Sequence, residues 1–190
     1  MNSDDLQMNS NVKKEVAIAL STELKTECMD ALNDNDLVVL KQTLERHPDI
    51  IKEPGYLNEL LEFALESNVE IMEFLLEQGA DIRQACDPPA PEGLAYYAAV
   101  EGNNEILKWV LEKGAHVNCI VDGRTRCFAL STAARKGNLE AIQLLVKHGA
   151  DVNAFWDNRN ALTEAIAFRH TKVVEYLRSV GAKTPHEQET

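Results

Sequence analysis

The dipeptide Gly-Ala recurs at Gly79-Ala80, Gly114-Ala115, Gly149-Ala150 and Gly181-Ala182, at intervals of 35, 35 and 32 residues. Each pair closes an apolar stripe, running from Ile71 to Leu76, Ile106 to Leu111, Ile142 to Val146 and Val173 to Leu177. The apolar positions in each stripe fall at i, i+3, i+4, the spacing of one buried helical face. Glycine adopts the left-handed turn that ends a helix at little cost, so each Gly-Ala predicts a helix terminus. A period of this length restricts the chain to one kind of architecture. A small unit that cannot bury its own apolar face must be stacked on further copies of itself.

A shorter apolar cluster precedes each stripe: Leu60 to Ala64, Ala95 to Ala99, Leu130 to Ala134 and Leu162 to Ile166. Small residues at the ends of these clusters let two helices approach closely. Ser67-Asn68, Gly102-Asn103, Gly137-Asn138 and Arg169-His170 separate cluster from stripe and read as tight helix–helix turns. One unit is therefore a short helix, a turn, a longer helix, Gly-Ala, and an extended excursion to the next unit. This pattern resembles the ankyrin repeat. The fourth unit carries it best, with Phe128 to Ala134, then Gly137-Asn138-Leu139-Glu140, then Lys147-His148-Gly149-Ala150-Asp151-Val152-Asn153. The resemblance implies an all-α ankyrin-repeat solenoid of about five helix-turn-helix units with protruding finger loops.

Residues 1–20 are expected to form a tail and a capping helix through Val16 to Leu20. Units are expected over about 21–52, 53–86, 87–121, 122–154 and 155–184, with a polar, frayed tail over 185–190. The first unit is degenerate, Pro48 standing where the others have Gly-Ala. No unit keeps the family's Thr-Pro-Leu-His start; its His position holds Leu61, Tyr96, Ser131 or Thr163. Pro88-Pro89-Ala90-Pro91 stiffens one finger against regular strand pairing. Asp122-Gly123 marks another: a two-residue turn sets Cys119 opposite Arg126, and a three-residue loop sets it opposite Cys127, where a disulfide becomes conceivable.

Nineteen Lys and Arg against 31 Asp and Glu leave a formal charge of −12. That balance opposes phosphate backbones and anionic membranes and suits a basic protein partner. Residues 1–95 hold 7 basic and 20 acidic side chains, and residues 96–190 hold 12 and 11. With no apolar run of spanning length and no basic-then-apolar leader at Met1 to Leu6, a cytoplasmic protein is expected, monomeric when free. Four cysteines are too few and too scattered for a disulfide framework. The motifs HExxH, CxxC, GxSxG and a glycine-rich phosphate loop are missing from the sequence, so no enzyme, cofactor or metal is expected. Asn33-Asp34-Asn35-Asp36 lacks the glycine and distal glutamate of a calcium loop and reads as a turn. His116 with Cys119 and Cys127 lacks a fourth zinc ligand.

The resemblance also implies where a partner is read: at finger residues before each first helix and at the two residues after its last apolar pair. Carried over position by position, this selects Tyr56 and Glu66 in the second unit and Glu92 and Glu101 in the third, and Tyr96, at the family's His position, is expected to project towards the same face. The fourth supplies Arg124, Arg135 and Lys136, with Arg126 beside them as a further planar donor, and the fifth Trp156, Asp157, Arg159 and Phe168. Aromatic and arginine side chains are those that interfaces prefer. Acidic residues, with Glu53 and Glu62, crowd one part of this set and basic residues the other, a polarity that orients a partner on approach. The expected activity is binding and masking a partner protein, as a bacterial immunity protein masks a toxin effector; recruitment by an adaptor uses the same face.

Overall fold

The computed structural model describes residues 22–52, 55–83, 93–121 and 124–188. Two compact units divide the chain, Met1–Gln78 and Gly79–Thr190. The capping helix expected before residue 21, Glu53-Pro54, the proline finger with Glu92, and Asp122-Gly123 lie outside the described residues.

In the first unit a helix over residues 22–33 (α1) is followed by α2 (Leu37–Arg46), α3 (Tyr56–Phe63) and α4 (Val69–Glu77). The Asn33-to-Asp36 segment is a turn. Asn35 takes a left-handed φ of 56°, and the Asp36 carboxylate accepts from Val38 N and Val39 N at 2.9 and 3.0 Å, capping α2. Asn68 caps α4 in the same way through Ile71 N, and its neighbour Ser67 donates to the Leu32 carbonyl at 2.8 Å, tying the two helix pairs together. Leu32, Leu40, Leu44, Leu60, Leu61, Ile71, Met72 and Leu75 fill the interior. Cys28 is buried with them, and burial pushes its thiol up, although a hydrogen bond with Tyr56 works the other way. Burial also raises the Glu62 carboxyl, with Glu59 adding to the effect.

The second unit contains three helix pairs: α5 (Gly93–Glu101) with α6 (Asn104–Glu112), α7 (Phe128–Lys136) with α8 (Leu139–Lys147), and α9 (Ala161–Ala167) with α10 (Thr171–Ser179). The first helices lie side by side with α7 in the middle, and α8 is likewise flanked by α6 and α10, making two layers. Ala95, Ala98, Ala99, Ala129, Ala133, Ala134, Ala161 and Ala165 are buried in the first-helix layer, where their small side chains permit close approach. Asn103 and Asn138 cap the second helices of their pairs. Fingers connect the pairs as short antiparallel hairpins, β1 (Cys119–Val121) with β2 (Arg124–Arg126) and β3 (Phe155–Trp156) with β4 (Arg159–Asn160).

Cys119 pairs with Arg126, the register of the two-residue turn. Cys127 follows β2 as a buried thiol whose Sγ donates to the Val117 carbonyl at 3.3 Å, so no bridge to Cys119 forms. The equivalent residues Asn118 and Asn153 clamp successive repeats. Asn118 donates to the Gly149 carbonyl and accepts from Asp151 N at 2.8 and 2.9 Å, and Asn153 does the same at Gly181 and Lys183.

Two features correct the sequence reading. Residues 185–188 are not frayed but form a short helix, α11 (Pro185–Gln188). Arg178 grips Glu187 with two hydrogen bonds of 2.6 and 2.9 Å, Glu187 Oε2 accepts from Thr184 N, and Gln188 reaches the Asn153 carbonyl. Tyr56 is not a surface residue: it starts α3 and is 4% exposed. Gly55, at φ 83°, turns the chain so that Tyr56 and Leu57 both enter the interior.

Asn160 is fully buried, caps α9 in a reciprocal box with Thr163, and donates to the Lys183 carbonyl at 2.7 Å. Asn160→Ala is expected to cost roughly 2–3 kcal/mol in urea unfolding, the sum of a lost cap and an orphaned carbonyl. The Arg178 contact lowers the Glu187 carboxyl from its usual 4.5 to about 2. A pKa depressed by folding stabilises fully above the unfolded value and is lost as pH falls through the folded one. The protection of the amides of residues 186–188, taken relative to the unfolded-chain exchange rate at each pH, should therefore fall between pH 4.5 and about 2, and Glu187→Gln should abolish that dependence.

Candidate functional site

Three finger and helix segments of the second unit place aromatic rings in a row. Tyr96 comes from α5, Phe128 opens α7 immediately after β2, and Trp156 lies on β3. Ring centroids are 6.4 Å apart from Tyr96 to Phe128 and 6.4 Å from Phe128 to Trp156, with interplanar angles of 75° and 56°. Tyr97 extends the row edge-on to Tyr96 at 5.4 Å. Tilted contacts of this kind let ring edges meet ring faces. Trp156 remains 46% exposed, so the row opens to solvent at that end.

The row walls a cavity of about 210 Å³ whose other lining comes from α7, β4 and α9. Ser131, Thr132 and Arg135 line it from successive turns of α7, and Arg159 and Glu164 close it from the fifth repeat. Glu164 reaches this place because Asn160 starts α9, which puts Glu164 one turn in, beside Leu162 and Ala165 of the helix's buried face. It is only 7% exposed. Its Oε1 accepts from Arg159 Nε at 2.7 Å, while Oε2 is buried with no hydrogen-bond partner. A buried carboxyl oxygen is costly to leave unsatisfied. The cavity thus combines apolar aromatic walls, a hydroxyl rim and an incompletely used carboxylate.

Of the residues expected at a binding face, the structure brings Tyr96, Arg135, Trp156 and Arg159 to this cavity. Others in the unit lie elsewhere. Lys136 donates to the Val100 carbonyl at the end of α5, and Glu101 is exposed beside it. Asp157 occupies the β3–β4 turn at φ 49°. Phe168, 50% exposed, stacks on His170 at 6.5 Å and 8°, and His170 Nε2 donates to the Arg135 carbonyl. Glu66 is exposed in the first unit, where the correction for Tyr56 also applies. Arg124 and Arg126 pair with β1 through their backbones; their side chains and Glu92 lie outside the description. Sequence reasoning missed Phe128, Ser131, Thr132 and Glu164. A glutamate inside the apolar Leu162-to-Ile166 cluster, five residues after an arginine, was the available signal.

Among the described residues no group of three or more His, Cys, Asp or Glu side chains is placed to hold a metal ion, and no helix is long and apolar enough to cross a membrane. A family model for ankyrin repeats, in three copies, matches residues 95–187. Residues 95–187 are an ankyrin-repeat array. The matched stretch covers the three helix pairs from the third residue of α5 onwards, together with the cavity, and it identifies the array as a protein–protein interaction module, all-α in fold. The search of curated proteins returned no match.

The Arg159–Glu164 pair is testable by a double-mutant cycle in urea. Arg159→Gln should cost about 1–2 kcal/mol, because it strips the buried carboxylate of its partner. Adding Glu164→Gln to that variant should restore part of the loss.

Proposed function

We propose that this ankyrin array is a non-catalytic module that binds a partner protein and masks it, with the aromatic row of the second unit as the contact surface. The observation that carries this reading is the alignment of Tyr96, Phe128 and Trp156 from three successive repeats beside Arg135 and Arg159. Interfaces draw most of their energy from a few aromatic and arginine anchors seated in well-packed hollows, and this cavity offers both residue types on one rigid scaffold. The neighbouring Phe168–His170 stack adds exposed aromatic area on α9's far end.

Masking follows from a rigid concavity that covers the surface it binds. Within it, the strong acidity of the chain favours a basic partner, and inhibition of a toxin effector in the cytoplasm is the form of masking proposed. An adaptor that recruits its partner through the same residues is the second reading. The two differ in one measurement: stoichiometric addition of this protein abolishes the captured partner's activity under masking and leaves it intact under recruitment.

Partner capture from the native source, followed by mass spectrometry and titration calorimetry, tests the surface. Trp156→Ala should weaken the complex by roughly 2 kcal/mol or more, about thirtyfold in Kd. A partner bound equally well by this variant would rule out the aromatic row.

A further inference from the structure

Resting on the masking reading, we propose that the cavity over Glu164 takes a basic side chain, arginine or lysine, from the partner protein. Two features of the cavity point to this. Glu164 Oε2 is a buried acceptor without a partner, and it requires an N–H or O–H donor. The walls are the rings of Tyr96, Phe128 and Trp156, whose negative faces attract cations.

Two arginines share the lining and need an account. Arg159 spends its charge on Glu164 Oε1 at 2.7 Å, so that pair is close to neutral and leaves Oε2 as the local acceptor. Arg135 is exposed, where solvent and salt screen its field. A guanidinium entering the cavity would donate to Glu164 Oε2 and lay its flat face against an aromatic wall; an ammonium would make the same hydrogen bond as a point charge. The hydroxyls of Ser131 and Thr132, lining the same cavity, are acceptors for the remaining N–H groups.

The test uses the full chain and four peptides, acetyl-Gly-Gly-X-Gly-Gly-amide, with X as arginine, lysine, citrulline or glutamate. The indole N–H resonance of Trp156, assigned by its loss in Trp156→Phe, is followed by NMR. The arginine and lysine peptides are expected to shift it saturably, and the citrulline and glutamate peptides to bind at least about tenfold more weakly. Glu164→Gln should lower affinity for the arginine peptide by a similar factor, with retained folding verified by circular dichroism. A glutamate or citrulline peptide that binds as well as arginine, or no saturable shift with either basic peptide, overturns the proposal without recourse to any variant. Failure here is separable from failure of masking. If the captured partner is lost with Trp156→Ala while no basic peptide binds, masking stands and the basic-side-chain pocket falls.

Discussion

Close approach between neighbouring first helices is what the second unit depends on. Leu94, Leu130 and Leu162 are each buried almost completely, and alanines at the flanking positions of α5, α7 and α9 keep the backbones near one another. A helix pair of this size cannot shield its apolar face alone, so each repeat acquires its interior from the next. The same proximity has a consequence at the surface. Side chains borne on adjacent first helices and the hairpins leading into them are brought within touching distance, which is why Tyr96, Phe128 and Trp156 form a row although 32 and 28 residues separate them in sequence.

Polar contacts set the register that this packing alone would leave loose. Asn118 and Asn153 each satisfy a carbonyl and an amide of the following repeat, and Asn138 links Asn104 across helices while Asn104 reaches Glu140. Hydrogen bonds of this kind contribute little individually, but they penalise any slip because a slipped repeat would leave buried polar groups unsatisfied. The floor of the cavity departs from that economy. Glu164 is held by Arg159 on one oxygen only, in a layer that otherwise satisfies its polar atoms or does without them. Local rules are most often broken where a protein has a task to perform.

The helices were largely legible in the sequence because their ends carry chemistry: Gly-Ala at the long-helix termini and Asn at the turns announce backbone conformations few other residues adopt. The Asp122-Gly123 finger was legible only as two alternatives, since the turn's length decides whether residue 126 or 127 faces Cys119. Tyr56 was misread because the resemblance places it on a finger, whereas Gly55 caps α3 and makes Tyr56 its buried first residue. Glu164 escaped notice for a different reason. Composition places a lone glutamate in solvent, and only the tertiary position of Arg159 makes its burial tolerable. The α11 helix likewise depends on Arg178, nine residues from its partner Glu187, a pairing that polar composition does not reveal.

The turn between α7 and α8 shows how far adjacent repeats have become mutually dependent. Gly137 sits at φ 72°, and the His170 ring from the next repeat occupies the space a side chain would need, within 2.5 Å of where its first carbon would lie. The ring is further pinned by Phe168 and by the Arg135 carbonyl. These repeats are consequently not interchangeable bricks. Shuffling, duplicating or excising one of them would separate a glycine from the histidine fitted to it, so the array can lengthen or shorten only where no such lock spans the junction.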